Sequence, residues 1–126
     1  MRLAHCAIRT RDLAASRRFY VDVIGLTDGA RPPFGFPGHW LCDASGEPVV
    51  HLIGEGADDY LGARQHRGSG VVDHFAFAAT NWPAQRDRLN ANQIPFDERT
   101  VPMLAQHQVF LRDPDGIVIE LNYETA

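Results

Sequence analysis

His5 and His74 lie 69 residues apart, and so do His51 and Glu120 (74 less 5, 120 less 51). Sliding the chain along itself by that offset lays Leu3-Ala4-His5-Cys6-Ala7-Ile8 over Val72-Asp73-His74-Phe75-Ala76-Phe77, an apolar strand pattern with histidine third. The same shift lays Pro48-Val49-Val50-His51-Leu52 over Ile117-Val118-Ile119-Glu120-Leu121, an apolar strand with a polar residue fourth. Between them Asp12-Leu13 meets Asn81-Trp82, each at a helix start. Few residues are identical between the copies, so pattern carries the repeat. One offset holding at both polar positions is what marks it.

The local patterns support two copies. Residues 3–9 read as a strand, with Asp12 as the N-cap of a helix. Ser16, Phe19, Tyr20, Val23 and Ile24 then recur at three- and four-residue spacing as one helical stripe, and Gly25 suits its left-handed close. In the second copy, residues 71–79 read as a strand, Thr80 or Asn81 as cap, and Pro83 as part of the first turn. Leu89 and Ile94 give that helix a thinner apolar face. Hairpins follow: residues 39–43 and 48–53 about the turn Ala44-Ser45-Gly46-Glu47, and residues 107–112 and 117–123 about Asp113-Pro114-Asp115-Gly116, which favours a type I turn. The expected organisation is one module over about 1–53, a Gly- and charge-rich linker over about 54–70, and a second module over about 71–126.

A chain of 126 residues, 44% hydrophobic and 22% charged, is long enough to bury a core without staples. A metal here would serve chemistry. The net charge of −4 and the lack of a dense Lys/Arg stripe argue against nucleic acid or an anionic membrane surface as partner. Cys6 and Cys42 have no CxxC spacing and read as reduced, partly buried thiols. No apolar run approaches the roughly 18–20 residues of a membrane span. The opening Met-Arg-Leu-Ala-His lacks the apolar stretch of a signal peptide, so a cytoplasmic location is expected.

Alternation along a strand puts His5 on a face with Leu3, Ala7 and Arg9, and His51 with Val49 and Ile53. His74 shares its face with Val72, Ala76 and Ala78, and Glu120 with Val118 and Asn122. Four polar groups among apolar neighbours are costly to bury alone, and a divalent cation would compensate them together. Two imidazoles and one carboxylate form the facial triad of non-haem Fe(II), and related sets hold Mn, Ni or Zn. His5, His74 and Glu120 are therefore the candidate metal ligands, with His51 either a further ligand or a base beside them. His66 lies in the polar linker. His39 and His107, near hairpin strand starts, are candidates for a pocket mouth.

The run His5…Arg9…Asp12-Leu13…Ser16…Phe19-Tyr20…Gly25-Leu26, with Phe110…Asp113-Pro114-Asp115-Gly116…Glu120, resembles the glyoxalase, bleomycin-resistance and extradiol-dioxygenase superfamily, the vicinal oxygen chelate proteins. The resemblance spans nearly the whole chain. It implies an α+β fold in which two βαβββ modules form a cupped mixed sheet around a metal site. It also implies a small-molecule substrate and frequent homodimers, with the site built within one chain or across two. His5, His74 and Glu120 fall on the family's usual ligand positions. At the fourth position glyoxalase I enzymes generally carry Glu, where this chain has His51, and their glutathione-holding Asn falls at Glu55 here. Arg9 does match a glutathione-contacting arginine. An added carboxylate would disfavour anionic glutathione. Extradiol enzymes pair the 2-His-1-Glu Fe(II) site with a proton-taking histidine, a role His51 suits. They usually carry a tyrosine ten residues before the Glu, where this chain has Phe110.

The segment from Arg31 to Trp40 combines stiffening Pro and Gly with Phe34, Phe36 and Trp40. It reads as a staple onto the core or a dimer partner, or as a wall for an aromatic or apolar substrate. Fosfomycin-type resistance enzymes call for a more cationic site than this sequence offers. The resulting expectation is an enzyme using a divalent metal, Fe(II) ahead of Mn, Ni or Zn, to chelate vicinal oxygens of a small substrate. His51 is its catalytic group, and Arg9, Trp40 and Phe110 contact the substrate. Extradiol-type ring cleavage stands narrowly ahead of a glyoxalase-like lyase or isomerase acting on an α-hydroxycarbonyl. A protein that sequesters a small molecule is the non-enzymatic alternative.

Overall fold

In the first strand, β1 (Cys6–Arg9), Ile8 is buried while Ala7 faces the opposite way and is exposed. That alternation sets one face of the sheet under a helix and leaves the other open. The structure is a computed structural model and describes residues 1–57 and 68–125. Most of the expected linker, with His66, lies outside those residues. The chain divides into two units, Met1–Gly68 and Ser69–Ala126.

In the first unit, β1 is followed by α1 (Leu13–Arg18), which continues as a π-helical segment, Phe19–Ile24. Asp12 caps the helix, its side chain accepting from the Ala15 N–H at 3.0 Å. Gly25 closes it at φ 94°, in the left-handed region where a missing Cβ costs nothing. Ser16, Phe19, Tyr20 and Val23 are buried as the stripe requires. Ser16, the polar member, is satisfied by the buried Thr10 hydroxyl at 2.6 Å. Three strands follow: β2 (Thr27–Asp28), β3 (Gly38–Cys42) and β4 (Pro48–Ile53), giving the order β1-β4-β3-β2 with β1 and β4 parallel.

The second unit repeats the plan. β5 (His74–Ala79) leads to α2 (Trp82–Ala91), then β6 (Asp97–Val101), β7 (Gln106–Arg112) and β8 (Val118–Glu124), in the order β5-β8-β7-β6 with β5 and β8 parallel. Each unit is a βαβββ module, and each carries a four-stranded mixed sheet. Asn81 caps α2, accepting from the Ala84 N–H. Its thin apolar face buries Leu89, while Trp82 packs on Phe96, His107 and Tyr123 at ring distances of 5.6, 5.0 and 5.5 Å. Burial drives the Tyr123 hydroxyl up to about 12.

The strands differ from the expected bounds in instructive ways. Pairing begins only at Cys6 and at His74, so His5 precedes its strand and residues 71–73 lie outside theirs. β2 and β6 were not expected from local pattern. β2 is two residues long, and β6 (Asp-Glu-Arg-Thr-Val) is a charged edge strand with no buried face to impose alternation. The first hairpin turn is shifted by one residue from the expected Ala44–Glu47: Gly46 N–H donates to the Asp43 carbonyl at 3.0 Å, as Gly116 does to Asp113.

The Asp at each turn does the same work. Asp43 Oδ1 accepts from the Ser45 and Glu47 N–H groups, and Asp113 Oδ1 from the Asp115 and Ile117 N–H groups, both at 2.9 Å. Asp113 is buried, so its alanine variant leaves N–H groups without their acceptor. Asp113→Ala is expected to cost about 1–3 kcal/mol in urea unfolding. Asp113→Asn, which keeps one acceptor oxygen, is expected to recover most of that loss.

Candidate functional site

In the first unit, cross-strand register sets Ala7 on one side of His51 and Trp40 on the other. His51 thus stands mid-sheet on the open face, opposite buried Val50 and Leu52. His5, two residues before Ala7, reaches the same place from the end of β1. The rings of His5 and His51 stack at 3.8 Å and 9°, and Trp40 stacks on His51 at 4.2 Å and 13°. His51 is held between two flat neighbours. Its Nε2 lies 3.0 Å from the Pro48 carbonyl. A carbonyl only accepts, so Nε2 carries the proton and Nδ1 keeps the lone pair. Burial holds the His51 pKa below the usual imidazole value, His5 lowers it further, and the Pro48 bond opposes both. A neutral ring with a basic Nδ1 suits either a base or a ligand.

In the second unit the equivalent row is Ala76, Glu120 and Phe110. Glu120 is 6% exposed. His74 Nε2 lies 2.8 Å from Glu120 Oε2, and His74 Nδ1 lies 2.6 Å from Asp73 Oδ2. The Asp73 hydrogen bond raises the His74 pKa most, Glu120 adds to it, and desolvation opposes. Phe110 meets the His74 ring edge-on at 6.3 Å, with the Arg99 guanidinium 5.1 Å from its own centroid. Arg99 Nε in turn donates to Gln108 Oε1 at 2.7 Å. On the same face, Asn122 Oδ1 is buried with no hydrogen-bond partner among the described residues, an acceptor the sequence reading did not single out.

These rows correct one expectation. The faces bearing His5 and His74 are open: Ala7, Ala76, Ala78 and both histidines are exposed, while Glu120 and, beside Asn122, Gln108 are buried. The rows also show an equivalence that the 69-residue offset conceals. Trp40 and Phe110 hold the same register position, one beside His51 and one beside Glu120, yet they lie 70 residues apart (110 less 40). The extra residue sits at a register shift where Leu41 pairs with Val50 and Cys42 with Pro48, passing over Val49.

The donor chemistry of the second unit fits a metal. Two ligands at right angles, each about 2.1 Å from a first-row divalent ion, stand about 3 Å apart, close to the His74–Glu120 separation. Asp73 behind Nδ1 matches the carboxylate that orients a ligating imidazole. His5 has no hydrogen-bond partner among the described residues, which leaves its ring nitrogens available. Among the described residues, no group of three or more His, Cys, Asp or Glu side chains is gathered for a metal. Asp73→Asn is expected to weaken metal binding by about tenfold, the low end for orienting partners because Asp73 is largely exposed. Since binding must displace a proton that His74 holds more tightly than usual, affinity is expected to climb with pH through and above the ordinary imidazole range.

The other candidates are placed as follows. Arg9 lies on β1 beside Ile53, half-buried on the His5 face. His39 and His107 do not join the site. His39 pairs with Asp28, at 3.5 Å. His107 pairs with Glu98 at 2.9 Å and packs on Trp82 and Tyr123, the face of its sheet opposite Glu120. Neither Cys6 nor Cys42 forms a disulfide, and both are of intermediate burial. No helix among the described residues is long and apolar enough to cross a membrane.

Residues 2–121 match the sequence profile of the Glyoxalase/Bleomycin resistance protein/Dioxygenase superfamily, and the chain belongs to that superfamily. Solved structures share the fold. A glyoxylase/bleomycin resistance protein/dioxygenase domain from Frankia sp. EAN1pec is 18% identical with a TM-score of 0.76, the match covering 98% of this chain and 92% of that one. The trypanothione-dependent glyoxalase I of Leishmania major is 22% identical with a TM-score of 0.67, over 98% of this chain and 87% of that one. TnmS3, an antibiotic-binding protein from Streptomyces sp. CB03234, is 17% identical with a TM-score of 0.70, over 99% and 97%. No curated protein sequence matches this chain.

Proposed function

We propose that this protein is a metal-dependent enzyme that chelates two adjacent oxygens of a small substrate, with His5, His74 and Glu120 as ligands and His51 as the proton-transfer group. The carrying observation is the His74–Glu120 pair at 2.8 Å with Asp73 behind it, a buried carboxylate and an oriented imidazole on one face. A bound divalent ion would supply Lewis acidity, lowering the pKa of a coordinated hydroxyl. His51 takes the proton at Nδ1: the Pro48 bond fixes the tautomer, and the flanking rings fix the plane. Arg9 steadies negative charge, while Trp40 and Phe110 present flat apolar surface to the substrate.

Within that class, Fe(II)-dependent opening of a catechol ring is favoured over a lyase or isomerase reaction, with Mn, Ni and Zn as the other metals to try. A neutral base beside aromatic surface suits a catechol. His51 and Glu55 replace the residues a glutathione-dependent glyoxalase would use. Adding catechol to Fe(II)-loaded protein is expected to draw down dioxygen in step with ring opening, and His51→Ala to slow it by about 100-fold or more. Turnover of an α-hydroxycarbonyl with no dioxygen uptake would replace this reaction with the isomerase one.

A second reading is sequestration of a small molecule. TnmS3 has the same fold and binds an antibiotic. Under that reading, His5→Ala and Glu120→Ala leave ligand binding intact.

A further inference from the structure

Beside His51, on the open face of the first unit, lies a pocket of about 120 Å³ whose lining includes Arg31, Phe34, Phe36, Trp40 and Ile53. Cavities of about 150 Å³ accept one benzene ring, so this pocket suits a single ring at most. Its walls are aromatic: Phe34 and Phe36 stack at 5.4 Å and 7°, and Phe34 lies 6.2 Å from Trp40. The Arg31 guanidinium is 5.0 Å from the Phe34 centroid and 5.1 Å from that of Phe36.

The loop that builds this pocket is held in place. Arg31 Nη2 donates to the Phe36 carbonyl at 2.8 Å, and Gly54 N–H to the Pro37 carbonyl at 2.8 Å. At Gly38 a Cβ would run into the Leu52 carbonyl and press on the Arg31 guanidinium, so glycine is what lets Arg31 lie along the strand. Arg31 is the only formally charged residue in the lining, and no carboxylate among the described residues pairs with it. A guanidinium has five N–H donors, and the Phe36 carbonyl uses one. The wall therefore carries a cation with donors to spare beside flat apolar surface.

We propose that this pocket binds a single aromatic ring bearing an anionic oxygen, with the ring against Phe34 and Trp40 and the anion on Arg31. The inference rests on the small-molecule reading above but not on the metal. A ring of this kind would lie next to His51, and the inference deepens that reading by assigning its anionic oxygen to Arg31.

The test uses fluorescence in a Trp82→Phe background. The chain has two tryptophans, so Trp40 becomes the sole reporter. Metal-free protein, kept so with chelator, is titrated with benzoate, with its neutral isostere benzamide, and with the non-aromatic anion cyclohexanecarboxylate. Benzoate is expected to change Trp40 emission saturably, binding about tenfold or more tighter than benzamide, the scale of one charge-assisted hydrogen bond. Arg31→Gln is expected to erase that preference with the far-UV spectrum unchanged. Phe34→Leu, at a ring 45% exposed, is expected to weaken benzoate and benzamide alike and keeps the test open if Arg31→Gln fails to fold. Equal affinity for benzoate and benzamide, preference for cyclohexanecarboxylate, or no saturable change would overturn the proposal. Metal binding that persists while benzoate fails would sink this inference and leave the proposed enzyme standing.

Discussion

Glu120→Gln is expected to lower affinity for a divalent metal by more than the roughly 100-fold upper end seen for orienting partners, because it takes the charge from a proposed ligand rather than from a support. The same change is expected to leave the metal-free protein's melting temperature unchanged or higher. Glu120 is a buried carboxylate paired with one exposed histidine, His74. Replacing a buried, thinly compensated charge by a neutral isostere tends to be neutral or stabilising. Lower affinity with undiminished stability marks a group retained for binding. A fall in both would mean that Glu120 is a structural residue. Calorimetric metal titration beside thermal melts of the metal-free variants reads both quantities.

Leu52→Ala is expected to give the opposite pattern, about 2–5 kcal/mol of lost stability. Leu52 follows His51 on β4, and alternation sends its side chain to the buried face, where it is 1% exposed. Truncation leaves a cavity between the sheet and α1. His51→Ala, one residue away, is expected to cost only about 1 kcal/mol, the worth of the ring stack it loses. Urea unfolding checks the pair: a lower midpoint at unchanged slope for Leu52→Ala, and nearly wild-type behaviour for His51→Ala. Comparable losses at both positions would mean that the faces of β4 are assigned wrongly.

The two-module plan was legible because the candidate site positions repeat at one offset, and because each helix has its cap where Asp12 and Asn81 stand. Edge strands were not. β6 carries charge at most positions and is exposed on both faces, so nothing in it alternates. The equivalence of Trp40 and Phe110 was hidden by the extra residue at Val49, which moves the offset to 70 on one side of the hairpin. Asp73 escaped notice for another reason. Neighbours within a strand point to opposite faces, so Asp73 reads as facing away from His74, yet it precedes β5, and its side chain is free to turn back onto Nδ1. The histidine stack on His51 has no sequence signal beyond the shared face of His5 and His51.

Titration of anaerobically prepared, metal-free protein with Fe(II), Mn(II), Ni(II) and Zn(II), run beside His5→Ala and His74→Ala, tests the central claim most directly. The two variants remove one proposed ligand from each unit. Tight binding by the wild type that is lost in both variants is the predicted result. Binding that survives both substitutions would contradict this ligand set, and wild-type protein that binds none of the four tightly would contradict the metal enzyme and leave a small-molecule binding protein in its place.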